Sequence, residues 1–180
     1  MKTTGGRPVR MLLVYPDYTD RDTKTKTSGG NYSEGLASIS AVLKQGEHDV
    51  KLFHMLNMYT ESDFKRRLTE LGEFDIIGFS IRTTAFPDCG QYIKWTKEAC
   101  PDVFIICGSY HVTLVPDEVL AVEGVDCVCV GDGEYAELEL CDAMRDGRDY
   151  TGIESLYFKM PDGSFKHNPI RPLFADLDRL

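Results

Sequence analysis

Val103-Phe104-Ile105-Ile106-Cys107-Gly108-Ser109-Tyr110-His111-Val112-Thr113 changes character at one peptide bond, where an unbroken apolar run gives way to Gly108-Ser109. A half-solvated strand alternates apolar with polar residues, so a continuous short run reads as a strand buried on both faces. Four other stretches read the same way: Val9 to Tyr15, Asp49 to His54, Asp75 to Ile81 and Asp126 to Val130. Between them apolar residues recur at helical spacing, as in Leu36, Ile39 and Leu43, then Phe64, Leu68 and Leu71, then Tyr92, Trp95 and Ala99. Ser33 suits the cap of the first helix and Gly46 its end; Pro87 suits the opening of the third, and Pro101 stops it after Cys100. Five successive strand-helix units with right-handed crossovers build a parallel sheet. The expected fold is therefore doubly wound α/β, flavodoxin-like, with strand order 2-1-3-4-5.

After a fifth helix expected to end near Gly147, Ile153 to Met160 and Ser164 to Asn168 flank the turn signal Pro161-Asp162-Gly163, which predicts a hairpin. Pro169 to Leu180 reads as a connector. The expected division is an α/β domain over 1–150, then a hairpin and linker over 151–180.

Composition narrows the function. The 180 residues are 42% hydrophobic and 27% charged, enough for one core, and the net charge of -9 argues against a nucleic-acid or anionic membrane partner. Met11 to Tyr15 is too short for a signal peptide or a membrane span, so a cytoplasmic location is expected. The six cysteines form no CxxC or CxxxCxxC cluster and read as buried, reduced thiols; Cys127 and Cys129 alternate as strand residues that share a face.

Ligands of an open parallel sheet bind outside the C-terminal ends of the strands, where the winding reverses. That edge should gather Pro16, Asp17 and Tyr18; Ser80 to Thr84; Gly108 to Thr113; and Gly131 to Glu134. Gly108, Ser109, Gly131 and Gly133 leave room for close backbone approach, while Ser80, Thr83, Thr84 and Thr113 bring hydroxyls. Any one such loop is adequately explained as a tight turn. Four at one edge indicate a crevice for a large, partly polar, uncharged or phosphate-bearing ligand.

Over nearly its whole length the chain resembles the cobalamin-binding domains that precede the catalytic barrel in many radical S-adenosylmethionine enzymes. The resemblance is carried by Met11 to Pro16, by Gly35-Leu36-Ala37 with Gly46-Glu47-His48-Asp49-Val50, by Asp75 to Ser80, by Gly108 to Thr113, where the family commonly reads GGxHxT, and by Val130 to Glu134, where it reads GEGE. Ser109 and Asp132 are mild departures. The resemblance implies a cobalamin cofactor at Asp17, Ser80, Arg82, Thr83, Gly108, Ser109, His111, Thr113, Gly131, Gly133 and Glu134. It implies an iron-sulfur cluster and S-adenosylmethionine only in a barrel outside this chain, belonging to a methyltransferase or cyclase. Phe174 to Leu180 resembles the linker into that barrel, and an excised domain, in preference to a natural stand-alone relative, is expected, not itself catalytic.

Other cobalamin domains carry DxHxxG after the first strand, the His ligating cobalt from below; here Asp17 is followed by Tyr18, Thr19 and Asp20. The resemblance therefore implies base-off cobalamin, its benzimidazole buried in the crevice and no protein His in its place. His111 is expected to hydrogen-bond and not to ligate metal. Arg82 either pairs with an acid or lies beneath the corrin, and Glu134 either caps its helix or touches the ligand. A receiver domain is excluded by the missing acid pair and lysine. A flavodoxin-like flavin or nucleotide module is the alternative, since Thr25, Thr27, Ser28, Gly29 and Gly30 supply hydroxyls and glycines after the first strand.

Overall fold

The computed structural model of the protein describes residues 2–18 and 30–172. The five apolar runs form β1 (Arg10–Pro16), β2 (Asp49–Met55), β3 (Ile76–Ser80), β4 (Phe104–Gly108) and β5 (Cys127–Cys129). They pair in parallel in the order β2-β1-β3-β4-β5. The predicted hairpin, β6 (Leu156–Lys159) and β7 (Phe165–His167), docks antiparallel on β5 and completes one seven-stranded sheet.

Alternation along the strands feeds two cores. Leu12, Val14, Ile77, Phe79, Ile105, Cys107 and Val128 meet α2 (Glu61–Leu71), α3 (Phe86–Ala99), α4 (Tyr110–Leu114) and α5 (Pro116–Leu120) on one face. Met11, Leu13, Ile76, Ile106, Cys127 and Cys129 meet α1 (Glu34–Gln45) and α6 (Glu134–Asp146) on the other. The shared face of Cys127 and Cys129 follows the sequence reading, and all six cysteines are free thiols.

The helix ends follow their signals. The Ser33 side chain accepts from the Leu36 amide, and Gly147 closes α6 in the left-handed conformation, φ 68°. Two expectations change. Burial on both faces fails for β2, where Asp49, Lys51 and Leu52 are exposed, because β2 is the sheet edge with β1 as its single neighbour. Tyr110 to Thr113, read as loop, form most of α4, and Pro116, which has no amide hydrogen to continue that helix, starts α5.

At the other end of the strands the Asp75 carboxylate accepts two hydrogen bonds from Arg7 (2.7 and 2.6 Å) and one from the Arg10 amide (2.9 Å). Burial pushes this carboxyl up, but the Arg7 and Arg10 hydrogen bonds prevail and hold it below its usual range. The Arg7–Asp75 contacts that fasten β1 to β3 thus lie at the edge opposite the glycine-rich loops. Among the described residues no helix is long and apolar enough to cross a membrane.

Candidate functional site

The C-terminal ends of β1, β3, β4 and β5 open onto a cavity of about 650 Å³ between the sheet and helices α1 and α6. Its floor is the α1/α6 face of the strands: Leu13, Gly78, Ile106 and Cys129. Gly78 is what keeps the floor low. A β-carbon there would stand 2.8 Å from the Met11 Cε and 3.4 Å from Leu13 Cδ2, so a larger residue would crowd the neighbouring strand. The walls come from Ser33, Leu36 and Ile39 of the α1 side and from Glu134 and Glu137 of α6.

The mouth is made of the small-residue loops. Ser109 has φ 88° and ψ -175°, a conformation that side chains disfavour, and it turns the chain from β4 directly into α4. The Thr113 hydroxyl donates to the Ser109 carbonyl (3.4 Å) and accepts from the Gly131 amide (3.2 Å), which ties the fourth loop to the fifth. Gly131, at φ 85°, makes the return toward Gly133 and α6. Tyr32, Tyr110 and Leu114 line the same opening and are 79%, 81% and 75% exposed, an unusual apolar rim for solvent-facing positions.

Of the residues expected at the site, Ser80, Gly108, Ser109, Thr113, Gly131, Gly133 and Glu134 all line this cavity. Asp17, Arg82, Thr83 and His111 do not. Asp17 is buried and engaged: its carboxylate meets Asn31 Nδ2 (2.9 Å), His54 Nε2 (2.9 Å) and an Arg82 nitrogen (3.0 Å). Burial pushes its carboxyl up, yet the Asn31, His54 and Arg82 contacts together draw it below the usual range. Arg82 also donates to the Pro16 carbonyl (3.1 Å) and lies over the Tyr15 ring, which stacks on His54. This cluster borders a second cavity of about 570 Å³, lined by Asn31 and His54, that shares Tyr15 and Leu36 with the first. His111 packs on Phe86 with ring centroids 4.2 Å apart, and its Nδ1 is 3.3 Å from the Thr83 hydroxyl. Both residues therefore lie on the α3 side.

The sequence reading missed Gly78, Cys129, Glu137 and the exposed rim. Glu137 had a signal: it stands at helical spacing from Leu140, Cys141 and Met144, where α6 puts its apolar stripe. The remainder of the phosphate-loop reading, Thr25, Thr27, Ser28 and Gly29, lies outside the described residues. Among the described residues no three His, Cys, Asp or Glu side chains are grouped to hold a metal ion.

Comparison with known proteins bears on this cavity. The model of the B12 binding domain family matches residues 25–141. An uncharacterized methyltransferase of Pyrococcus horikoshii is 31% identical over 174 residues, covering 96% of this chain and 37% of that protein. The anaerobic magnesium-protoporphyrin IX monomethyl ester cyclase of Rubrivivax gelatinosus is 27% identical over 179 residues, 96% of this chain and 32% of the cyclase. The chain thus spans about a third of the length of these relatives. Among solved structures, the radical S-adenosylmethionine methyltransferase TsrM of Kitasatospora setae, with cobalamin and a [4Fe-4S] cluster bound, superposes with a TM-score of 0.73 at 19% identity, covering 95% of this chain and 30% of that one. The cobalamin-dependent radical enzyme OxsB, with aqua-cobalamin and S-adenosylmethionine bound, gives 0.71 at 15% identity over 93% of this chain and 23% of its own.

Proposed function

The chain belongs to the B12 binding domain family, and on that premise we propose that it holds base-off cobalamin at the C-terminal edge of the sheet, as one module of a cobalamin-dependent radical S-adenosylmethionine enzyme. The observation that carries this reading is the cavity itself. At about 650 Å³ it falls within the range of small-molecule sites, and its floor is lowered by a glycine in the middle of a buried strand. A space of that size suits the nucleotide tail of a cobamide, while the corrin needs the broad rim of Tyr32, Tyr110 and Leu114.

The residues have separable roles. Gly108, Gly131 and Gly133 permit close approach at the mouth, and Ser80, Ser109 and Thr113 are available to a phosphodiester or ribose through their hydroxyls. Asp17, held by His54 and Arg82, fixes the end of β1 beside the opening. No histidine is among the described residues that line the cavity, and the position two after Asp17 is Thr19, which supports a lower cobalt face without imidazole. Bound cobalamin would supply a cobalt centre for redox and alkyl-transfer chemistry; the reaction itself belongs to a radical barrel beyond residues 151–180, in an enzyme of the methyltransferase or cyclase type. The flavin alternative receives no support from the family match.

The test is optical. Methylcobalamin added to the chain at neutral pH should change from its red, base-on spectrum to the yellow, base-off form. Gly108→Phe should abolish that change while the domain still folds, because a Gly108 β-carbon would lie 3.9 Å from Cys129 Cβ, in ordinary contact, and only the larger ring fills the mouth. Red, unaltered methylcobalamin with the wild-type chain, or full uptake by Gly108→Phe, would refute the site.

A further inference from the structure

The family motifs stop at Glu134, but the cavity wall continues to Glu137, one turn further along α6. Ala136, Leu140, Cys141 and Met144 around it belong to the apolar core. Its Oε2 is buried with no hydrogen-bond partner among the described residues, and its Oε1 lies 3.1 Å from where a Gly133 β-carbon would sit. Gly133 therefore makes room for this carboxyl as well as for a ligand. A buried polar atom without a partner is costly, and at a cavity wall a bound ligand can supply that partner.

The groups around Glu137 decide its protonation. Glu134 and Cys141 share α6 with it, Asp132 precedes that helix, Glu34 borders the cavity from α1, and Cys127 and Cys129 stand on β5. Arg171, a cation that acts on the Cys129 thiol, is engaged by Glu139 (2.8 Å) and Glu154 (3.8 Å). Lys and Arg are missing from the described lining. Burial, with Glu134 adding repulsion, pushes the Glu137 carboxyl up to about 8. The side chain is then a neutral acid near pH 7 and presents an O–H donor.

We infer that Glu137, as an uncharged carboxylic acid, donates a hydrogen bond to a ring nitrogen of the cobamide's lower base and so selects cofactors whose base offers that acceptor. The walls argue for the base over the other parts of the tail. Leu13, Ile39, Ile106 and Cys129 give apolar surface for a flat ring, with Glu137 as the polar contact beside them. An anionic phosphate would meet carboxyls and no cation there, whereas the hydroxyls lie at the mouth. This inference rests on the proposed cobalamin reading.

It is tested by equilibrium dialysis of methylcobalamin and of methylcobinamide, which lacks the nucleotide and base, at pH 6.5 and 9.5. Raising the pH ionises Glu137, removes the donor and sets a charge in the cavity, so wild-type affinity for methylcobalamin should fall by at least about tenfold. Glu137→Gln keeps a donor that does not titrate and should bind with little change between the two pH values. Glu137→Leu should bind roughly tenfold more weakly than wild type at pH 6.5 and show no pH dependence, with a melting temperature at or above that of wild type as proof of folding. Methylcobinamide should respond to neither pH nor substitution. A flat wild-type profile, wild-type affinity in Glu137→Leu, or the same pH response with methylcobinamide would each overturn the inference alone. Failure of the wild-type chain to bind either corrinoid would overturn the cobalamin reading and the inference with it.

Discussion

At the scale of single residues, the site is built from backbone conformations that side chains resist. Ser109 is the clearest case: with φ 88° and ψ -175° it occupies a region that belongs essentially to glycine, and such a residue stores on the order of 1–3 kcal/mol. Ser109→Gly relieves that strain and loses some in unfolded-chain entropy, so the variant should be more stable by about 1 kcal/mol in urea unfolding. Equal or lower stability would show that the serine side chain contributes more than its backbone costs. The small residues of the mouth were legible in the sequence because glycine and serine at strand ends have few other uses. The engagement of Asp17 was not, since His54 comes from the end of β2 and Arg82 from the loop after β3, and nothing local in the sequence marks them as its partners. For Glu137 the opposite holds. Its place in the apolar stripe of α6 is visible in the spacing alone, and a carboxyl in such a stripe is either an error of burial or a functional group.

At the scale of elements, strands and long helices were legible because their periods run over enough residues to be distinctive. Each of α4 and α5 has 5 residues, too few for a helical period to show, and the sequence there reads as loop. The hairpin was announced by Pro161-Asp162-Gly163, but its docking on β5 was not, because a strand pairing depends on partners distant in sequence. Asn168 is a large part of that docking. Its side-chain amide donates to the carbonyls of Thr151 (2.9 Å), Ile153 (2.9 Å) and Leu156 (2.7 Å), and the residue is only 8% exposed. Asn168→Ala removes a donor shared by three carbonyls at the junction between the hairpin and the rest of the sheet, of which Ile153 keeps the Leu156 amide. It should cost about 1–3 kcal/mol and should raise hydrogen exchange in β6 and β7 before β1 and β3. Uniform loss of protection across all strands would instead mean that the hairpin and the α/β core unfold as one unit.

At the scale of the whole molecule, the cysteines are distributed over both cores of the sheet. A radical S-adenosylmethionine cluster requires cysteine thiolates spaced to grip iron, and thiolate formation requires solvent or positive charge nearby. In five of the six cysteines burial outweighs any nearby cation, and Cys100, partly exposed with Lys2 acting on it, has its thiol raised as well. Burial pushes the Cys89 thiol up to about 12 and raises those of Cys107, Cys127, Cys129 and Cys141 well above their usual value. These thiols sit on different elements of two cores separated by the sheet: Cys107 and Cys89 on one face, Cys127, Cys129 and Cys141 on the other. Even Cys127, Cys129 and Cys141, which share a face, are not grouped to hold a metal ion. Anaerobic reconstitution of the chain with iron and sulfide should therefore leave substoichiometric iron after desalting, and the product should not cleave S-adenosylmethionine under reducing conditions. The same preparation should still turn methylcobalamin to its base-off form, because that property depends on the cavity alone. One cluster per chain, with the spectrum of a bound [4Fe-4S] centre, would show that the fold rearranges to expose its thiols.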